Sequence, residues 1–205
     1  MSFLAEGDLP SARQLVRNPP KAIEPAALVV YIATYYDLSW VLEADQQELL
    51  LRLGPEQFDG DRGAWGLALA DVYRLRGDHA HARAFADSAR IALEDQIRTA
   101  PEDAGLHVYL GMALAYLGHK ADAIAESERG VVLLPIRKNA INGPYFQHQL
   151  ARTYILVGEP EKALDQLEPL LKIPYYLSPA WLRIDPTFDP LRSNPRFQRL
   201  VAATP

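Results

Sequence analysis

The sequence predicts an all-α chain in which helix–turn–helix units of about 40 residues stack into a solenoid closed by a helical cap. Three observations predict it. Glycines end three apolar helical stretches in matching contexts, Tyr73-Arg-Leu-Arg-Gly77, Leu114-Ala-Tyr-Leu-Gly118 and Tyr154-Ile-Leu-Val-Gly158, spaced 41 and then 40 residues apart. An alanine stands five residues after each glycine (Ala82, Ala123, Ala163), and a leucine with a small neighbour precedes each (Leu69-Ala70, Leu110-Gly111, Leu150-Ala151). Leu and Tyr recur at three- and four-residue intervals, which is helical and not strand periodicity.

In chain order, Glu6-Gly-Asp-Leu-Pro-Ser-Ala12 repeats the glycine and the alanine five later, with no helix before it. This suggests a chain that opens inside a repeat, as the C-terminal piece of a longer protein; an ordinary capping helix is the alternative. Residues 26–53 offer two apolar helices broken near Asp37-Leu-Ser39, with Ala44 in the alanine slot, so 1–58 reads as degenerate repeat. Residues 54–63 are acidic and rich in turn formers, the expected flexible joint. Three units then fill 63–177, at about 63–101, 104–137 and 144–175. In each, a glycine ends the first helix because a left-handed C′ residue is cheapest without a Cβ. The small residues mark close crossings of antiparallel helices. The first unit meets no proline until Pro101, so its second helix is expected over about Asp78–Thr99; Pro135 closes the second, whose extra residues fall in a loop over 136–144. Pro160 suits helix position N1, and Pro169 ends or kinks the third unit's second helix. Ser178-Pro179 and Asn194-Pro195 read as N-caps followed by proline, giving short capping helices over 178–205. These place Trp181, Phe188, Leu191, Phe197 and Leu200 on the open end of the stack.

The pattern resembles the tetratricopeptide repeat. Ala70, Tyr73, Gly77, Ala82 and Ala89 carry the likeness in the first unit; Leu110, Gly111, Gly118, Ala123 and Pro135 in the second; Leu150, Ala151, Tyr154, Gly158 and Ala163 in the third. The period of 40 and 41 exceeds the usual 34 residues, which implies longer second helices or connections. The resemblance implies a right-handed α-solenoid and a protein-binding module. The tail Asp189-Pro-Leu-Arg-Ser-Asn-Pro-Arg-Phe197 is similar to the ends of repeat regions that close bacterial signalling proteins linked to cyclases, kinases or transcription regulators.

Composition limits the alternatives. A net charge of −5 without clustered Lys and Arg argues against nucleic acid as partner. Residues 26–36, the longest apolar stretch, fall far short of the roughly 20 residues needed to cross a bilayer. The absence of cysteine removes disulfides and thiol chemistry and fits a reducing compartment, so a cytoplasmic protein without membrane contact is expected. No G-x-S-x-G elbow, phosphate-cradling loop or H-E-x-x-H motif is present, and the chain does not read as an enzyme. His79 and His81 point apart at a helix start, Asp59-Gly-Asp61 lacks the later ligands of a calcium loop, and Asp122 with Glu126 reads as a wet helix face. No metal and no cofactor is expected.

In such a stack the first helices line the concave side, which receives ligands. Counting back from the turn glycines places Leu67, Asp71 and Arg74, then Val108, Met112 and Tyr116, then His148 and Arg152 along that groove. Some tetratricopeptide proteins grip a C-terminal carboxylate with Lys and Asn here; Leu67, Val108 and Met112 exclude that clamp. The groove reading gives Arg74, Arg152 and Tyr116 as anchors for an extended or helical peptide of a partner protein. In the alternative, Tyr116 and Met112 pack against neighbouring helices and Arg74 pairs with Asp71. A second function class is a regulatory or dimerising segment of a larger signalling protein, favoured if Tyr31, Tyr35, Tyr36 and Trp40 form an exposed patch that would make a homodimer. An enzyme of unfamiliar design is the distant third.

Overall fold

The computed structural model describes residues 1–202. Its α-helices are α1 (Ser2–Ala5), α2 (Leu9–Arg17), α3 (Pro25–Thr34), α4 (Ala44–Leu51), α5 (Arg62–Leu75), α6 (His79–Thr99), α7 (Ala104–Leu117), α8 (Lys120–Leu133), α9 (Asn142–Leu156), α10 (Pro160–Leu170), α11 (Pro179–Ile184) and α12 (Pro195–Ala202). Short 3-10 turns lie at Ser39–Val41, Pro55–Phe58 and Pro186–Leu191. Among the described residues there is no strand, and no helix is long and apolar enough to cross a membrane.

Local chemistry sets the helix ends. Asp61, Asp78 and Asp103 accept hydrogen bonds from the first-turn amides of α5, α6 and α7, at 3.0 Å from Ala64, 3.1 Å from His81 and 2.9 Å from Gly105. Each satisfies an amide that has no partner inside the helix. Gly77, Gly118 and Gly158 turn the chain between paired helices with φ of +76°, +84° and +73°, where a side chain would clash with its own backbone. Pro169 sits one residue before the last residue of α10.

Helices α5 to α10 pack each against the next, so the stack is an α-solenoid built in sequence order. Close approach within a pair depends on missing side-chain atoms. A Cβ on Gly66 would stand 2.9 Å from the Phe85 carbonyl oxygen, and one on Gly111 would stand 2.7 Å from that of Ala123. Ser127 and Thr153 then join α8 to α9 by a buried hydroxyl contact of 3.2 Å.

The flanks depart from a plain stack. Helices α3 and α4 are not joined by a tight turn; residues 35–43 leave the helical path, and Tyr36, Asp37, Ser39, Trp40, Val41 and Leu42 are buried. The acidic stretch 54–63 is packed, with Phe58 buried and the Trp65 indole donating to the Leu53 carbonyl at 2.9 Å. Trp181, Phe188, Leu191 and Phe197 do not merely cover an end. They share one core cluster with Leu150, Tyr154 and Trp40, and the Trp40 and Trp181 rings meet edge to face at 6.2 Å. The two flanks also meet each other: α1 packs on α11, and the Ser178 hydroxyl donates to the Ala5 carbonyl at 2.5 Å.

Replacing Gly111 by valine forces α7 and α8 apart and is expected to cost about 2 kcal/mol or more. By thermal denaturation this reads as a midpoint roughly 4–8 °C lower. Val132→Ala, at a side chain 76% exposed on α8, should leave the midpoint unchanged.

Candidate functional site

The inner face of the stack is a trough walled by α5, α7 and α9, and its centre is filled by the chain itself. Tyr36 lies in one apolar cluster with Leu67 and Met112 and meets the Tyr109 ring at 5.0 Å. Its main chain is held by side chains of the trough: Arg152 donates to the Tyr36 carbonyl at 2.7 Å, and the Tyr36 amide donates to the Tyr145 hydroxyl at 3.3 Å. Asp37 follows, with its own carbonyl accepting from the Trp40 indole at 2.8 Å and its carboxylate accepting from the Tyr176 hydroxyl at 2.7 Å. Residues 36–41 thus form an internal plug, entering as Pro25–Thr34 ends and leaving before Ala44.

The eight residues counted into the groove fall into three environments. Leu67 and Met112 lie under the plug, 0% and 1% exposed. Val108 is turned away from the trough, toward α8, where its methyl would touch a Cβ on Gly130. Its neighbour Tyr109 faces the trough instead. Asp71, His148 and Arg152, the expected polar points of an open groove, are buried beneath the plug and the cap. Arg74 and Tyr116 alone among the eight line an open cleft, shared with His79, Arg83 and Leu156. There Arg74 pairs with Asp71 at 2.9 Å and the Tyr116 hydroxyl donates to the same carboxylate oxygen at 2.9 Å.

Burial makes the charges of this centre unequal. Burial alone would raise Asp71, yet the guanidiniums of Arg74 and Arg152 hold it below its ordinary value. Asp185 is raised by burial, opposed by Arg152 at 3.5 Å and by the Thr187 amide at 2.8 Å. Asp37 is raised by burial too, with Arg152 and the Tyr176 hydroxyl opposing. His148, 3.8 Å from Asp37 and wholly buried, is pushed well below 6.5 by burial and then by Arg152, so it stays neutral at pH 7. A single guanidinium therefore ties the plug carbonyl, α9 and the cap carboxylate together.

Two further features escaped the spacing argument. At the end of the trough where α7 and α9 begin, Tyr35, Tyr109, Tyr145, Phe146, Tyr175 and Tyr176 line an open cleft of about 530 Å3. Its residues come from both flanks as well as the stack, so no repeat period could assemble them. The paired tyrosines 35–36 and 175–176, each at a break in helix, were the available signal. Second, Tyr36 and Trp40, which would have favoured self-association as a surface patch, face inward at 3% and 5% exposure; Tyr31 remains outside at 62%. Among the described residues no group of three His, Cys, Asp or Glu side chains is placed to hold a metal.

Paired helices stacked in order define a helical repeat protein. The family model for the tetratricopeptide repeat matches residues 65–88 and 144–169, so the chain carries tetratricopeptide repeats at α5–α6 and α9–α10. The pair between them, α7–α8, carries the same turn glycine and following alanine at Gly118 and Ala123. Comparison with curated proteins and with solved structures gives no match. Tetratricopeptide repeats generally mediate protein–protein interaction and are typically non-catalytic, which supports a scaffold role for this chain.

Two measurements test the centre. Arg152→Met strands Asp185 and the Tyr36 carbonyl in the interior and is expected to lower stability by about 3–5 kcal/mol, read by urea denaturation. Because the folded pKa of His148 lies below its unfolded value near 6.5, its contribution is present above that pH and lost as pH falls through it. Stability should therefore decline between pH 7 and 5 with a slope approaching about 1.4 kcal/mol per unit from this group. His148→Gln should flatten that slope whatever its effect on absolute stability.

Proposed function

We propose that the protein is a non-catalytic scaffold that takes an extended segment of a partner protein along its concave face, at the two clefts flanking the plug. One cleft offers Arg74 and Tyr116; the other offers the tyrosines 35, 109 and 145. The observation that carries this reading is the plug. The trough already holds a turn of polypeptide by donating to a main-chain carbonyl and accepting from a main-chain amide, with an aromatic side chain seated on Leu67 and Met112. A partner strand entering either cleft would meet groups of the same kind, and Arg and Tyr dominate such contacts in protein interfaces. The buried residues Leu67, Asp71, Met112, His148 and Arg152 then act as the floor that fixes both clefts in place.

Panning a random peptide library on the immobilised protein tests the proposal. Enriched peptides are expected to bind at least tenfold more weakly, a loss of about 1.4 kcal/mol, to Tyr35→Ala or Arg83→Glu, which change one cleft each at accessible positions. Peptides indifferent to both substitutions would place the interaction surface elsewhere and sink the reading.

A further inference from the structure

The aromatic cleft has a composition that narrows what can enter it. None of its lining residues is charged. Its rings meet at steep angles, 78° between Tyr35 and Tyr145 and 88° between Tyr109 and Phe146, so they wall a box and do not form one stack. Tyr175 and Tyr176 close one side, their centroids 4.1 Å apart. The phenols stay protonated at neutral pH; burial, then Asp103, pushes Tyr109 up to about 12. The space therefore presents negative ring faces and neutral oxygens, with nothing positive among its walls.

Directly behind the Tyr175–Tyr176 wall lies a carboxylate with no guanidinium in ion-pair contact among the described residues; Arg152 acts on it only from farther off. Asp71 has Arg74, and Asp185 has Arg152. Asp37 has the Tyr176 hydroxyl and a histidine that burial keeps neutral, and its Oδ1 is wholly buried with no hydrogen-bond partner among the described residues. Three buried carboxyls thus face two guanidiniums, and the excess sits at the end of the trough nearest the cleft. A low-dielectric wall transmits that field to the cleft more strongly than water would.

We propose that this cleft receives an arginine side chain of the partner protein, its guanidinium packed among the tyrosine rings and opposite Asp37. A planar, weakly hydrated guanidinium stacks on aromatic faces while its N–H groups donate to phenol oxygens; a lysine ammonium keeps its water more tightly and lacks the plane. A neutral guest would gain the ring contacts and leave the Asp37 charge unanswered. The net charge of −5 draws a basic segment toward the protein in the first place. The assignment rests on the scaffold reading above and specifies what one of its two clefts selects.

The test is a titration of the full chain, carbon-13 labelled at tyrosine and followed by NMR, with a capped glycine peptide bearing one central arginine. Versions with citrulline, lysine and proline at the centre are run in parallel. The arginine peptide is expected to shift the signals of Tyr35, Tyr109 and Tyr145 and to bind about tenfold more tightly than citrulline, its neutral isostere. Binding should weaken as salt rises, and Tyr35→Leu should reduce it by a similar factor. Asp37→Asn should bring arginine and citrulline together; because Asp37 is buried, the half-exposed Tyr35 provides the variant that keeps the fold. Equal binding of citrulline or proline, shifts confined to other tyrosines, indifference to Tyr35→Leu, or no binding by the arginine peptide overturns the proposal. A library peptide without arginine that still depends on Arg83 would leave the scaffold reading standing while removing this one. Arginine binding with no library peptide enriched would do the reverse.

Discussion

The structure depends on one buried guanidinium. Arg152 sits on the inner helix of the last repeat, and from there it reaches the plug through the Tyr36 carbonyl and the cap through the Asp185 carboxylate. Three stretches distant in sequence share one donor group. Desolvating a charge is costly, and the cost is recovered only where geometry and partners are good. Here two of the guanidinium nitrogens, Nε and Nη1, have no hydrogen bond within the described residues, so the cluster specifies an arrangement more than it adds stability. Apolar burial supplies the adhesion: Tyr36, Trp40, Trp181 and Phe188 are all nearly or wholly removed from water, each contributing on the order of 2 kcal/mol.

That arrangement changes what a repeat stack presents to its surroundings. An open solenoid would offer a continuous concave surface. In this chain the N-terminal flank enters the middle of that surface, and the C-terminal flank closes over it, so the surface is divided into two separate clefts with different chemistry. One is edged by arginines and a tyrosine hydroxyl already engaged with Asp71; the other is aromatic, uncharged and backed by Asp37. On the proposed scaffold reading, division of this kind would let a single face discriminate between two side chains of an approaching segment. It also makes the aromatic cleft depend on the flanks, because Tyr35, Tyr175 and Tyr176 are contributed by them and not by the repeats.

What could be read in advance differed by level. The turn glycines and the alanines after them could be read directly, because a left-handed turn excludes other side chains and a close helix crossing excludes large ones; both are local rules acting through nearby backbone. The face of each inner helix was partly legible. Counting from Gly118 put Met112 and Tyr116 in the trough but took Val108 where Tyr109 belongs, an error of one position that rotates a side chain by about 100°. The plug was not legible. Asp37-Leu-Ser39 was visible as a break between two helices, and nothing in a break tells where the chain goes during it.

Sequence alone determined the all-helical class, the repeat, the positions of the turns and the lack of recognisable catalytic motifs, since each follows from the conformational preferences or the spacing of neighbouring residues. Tertiary structure alone decided that the concave face is occupied, that Asp71, His148 and Arg152 are interior and that six aromatic side chains converge at one end. The reason is the range of the forces involved. Turn and helix propensities act over a few residues, whereas Arg152 meets Tyr36 across 116 positions and Tyr176 meets Asp37 across 139, distances at which only the folded chain defines who is whose neighbour.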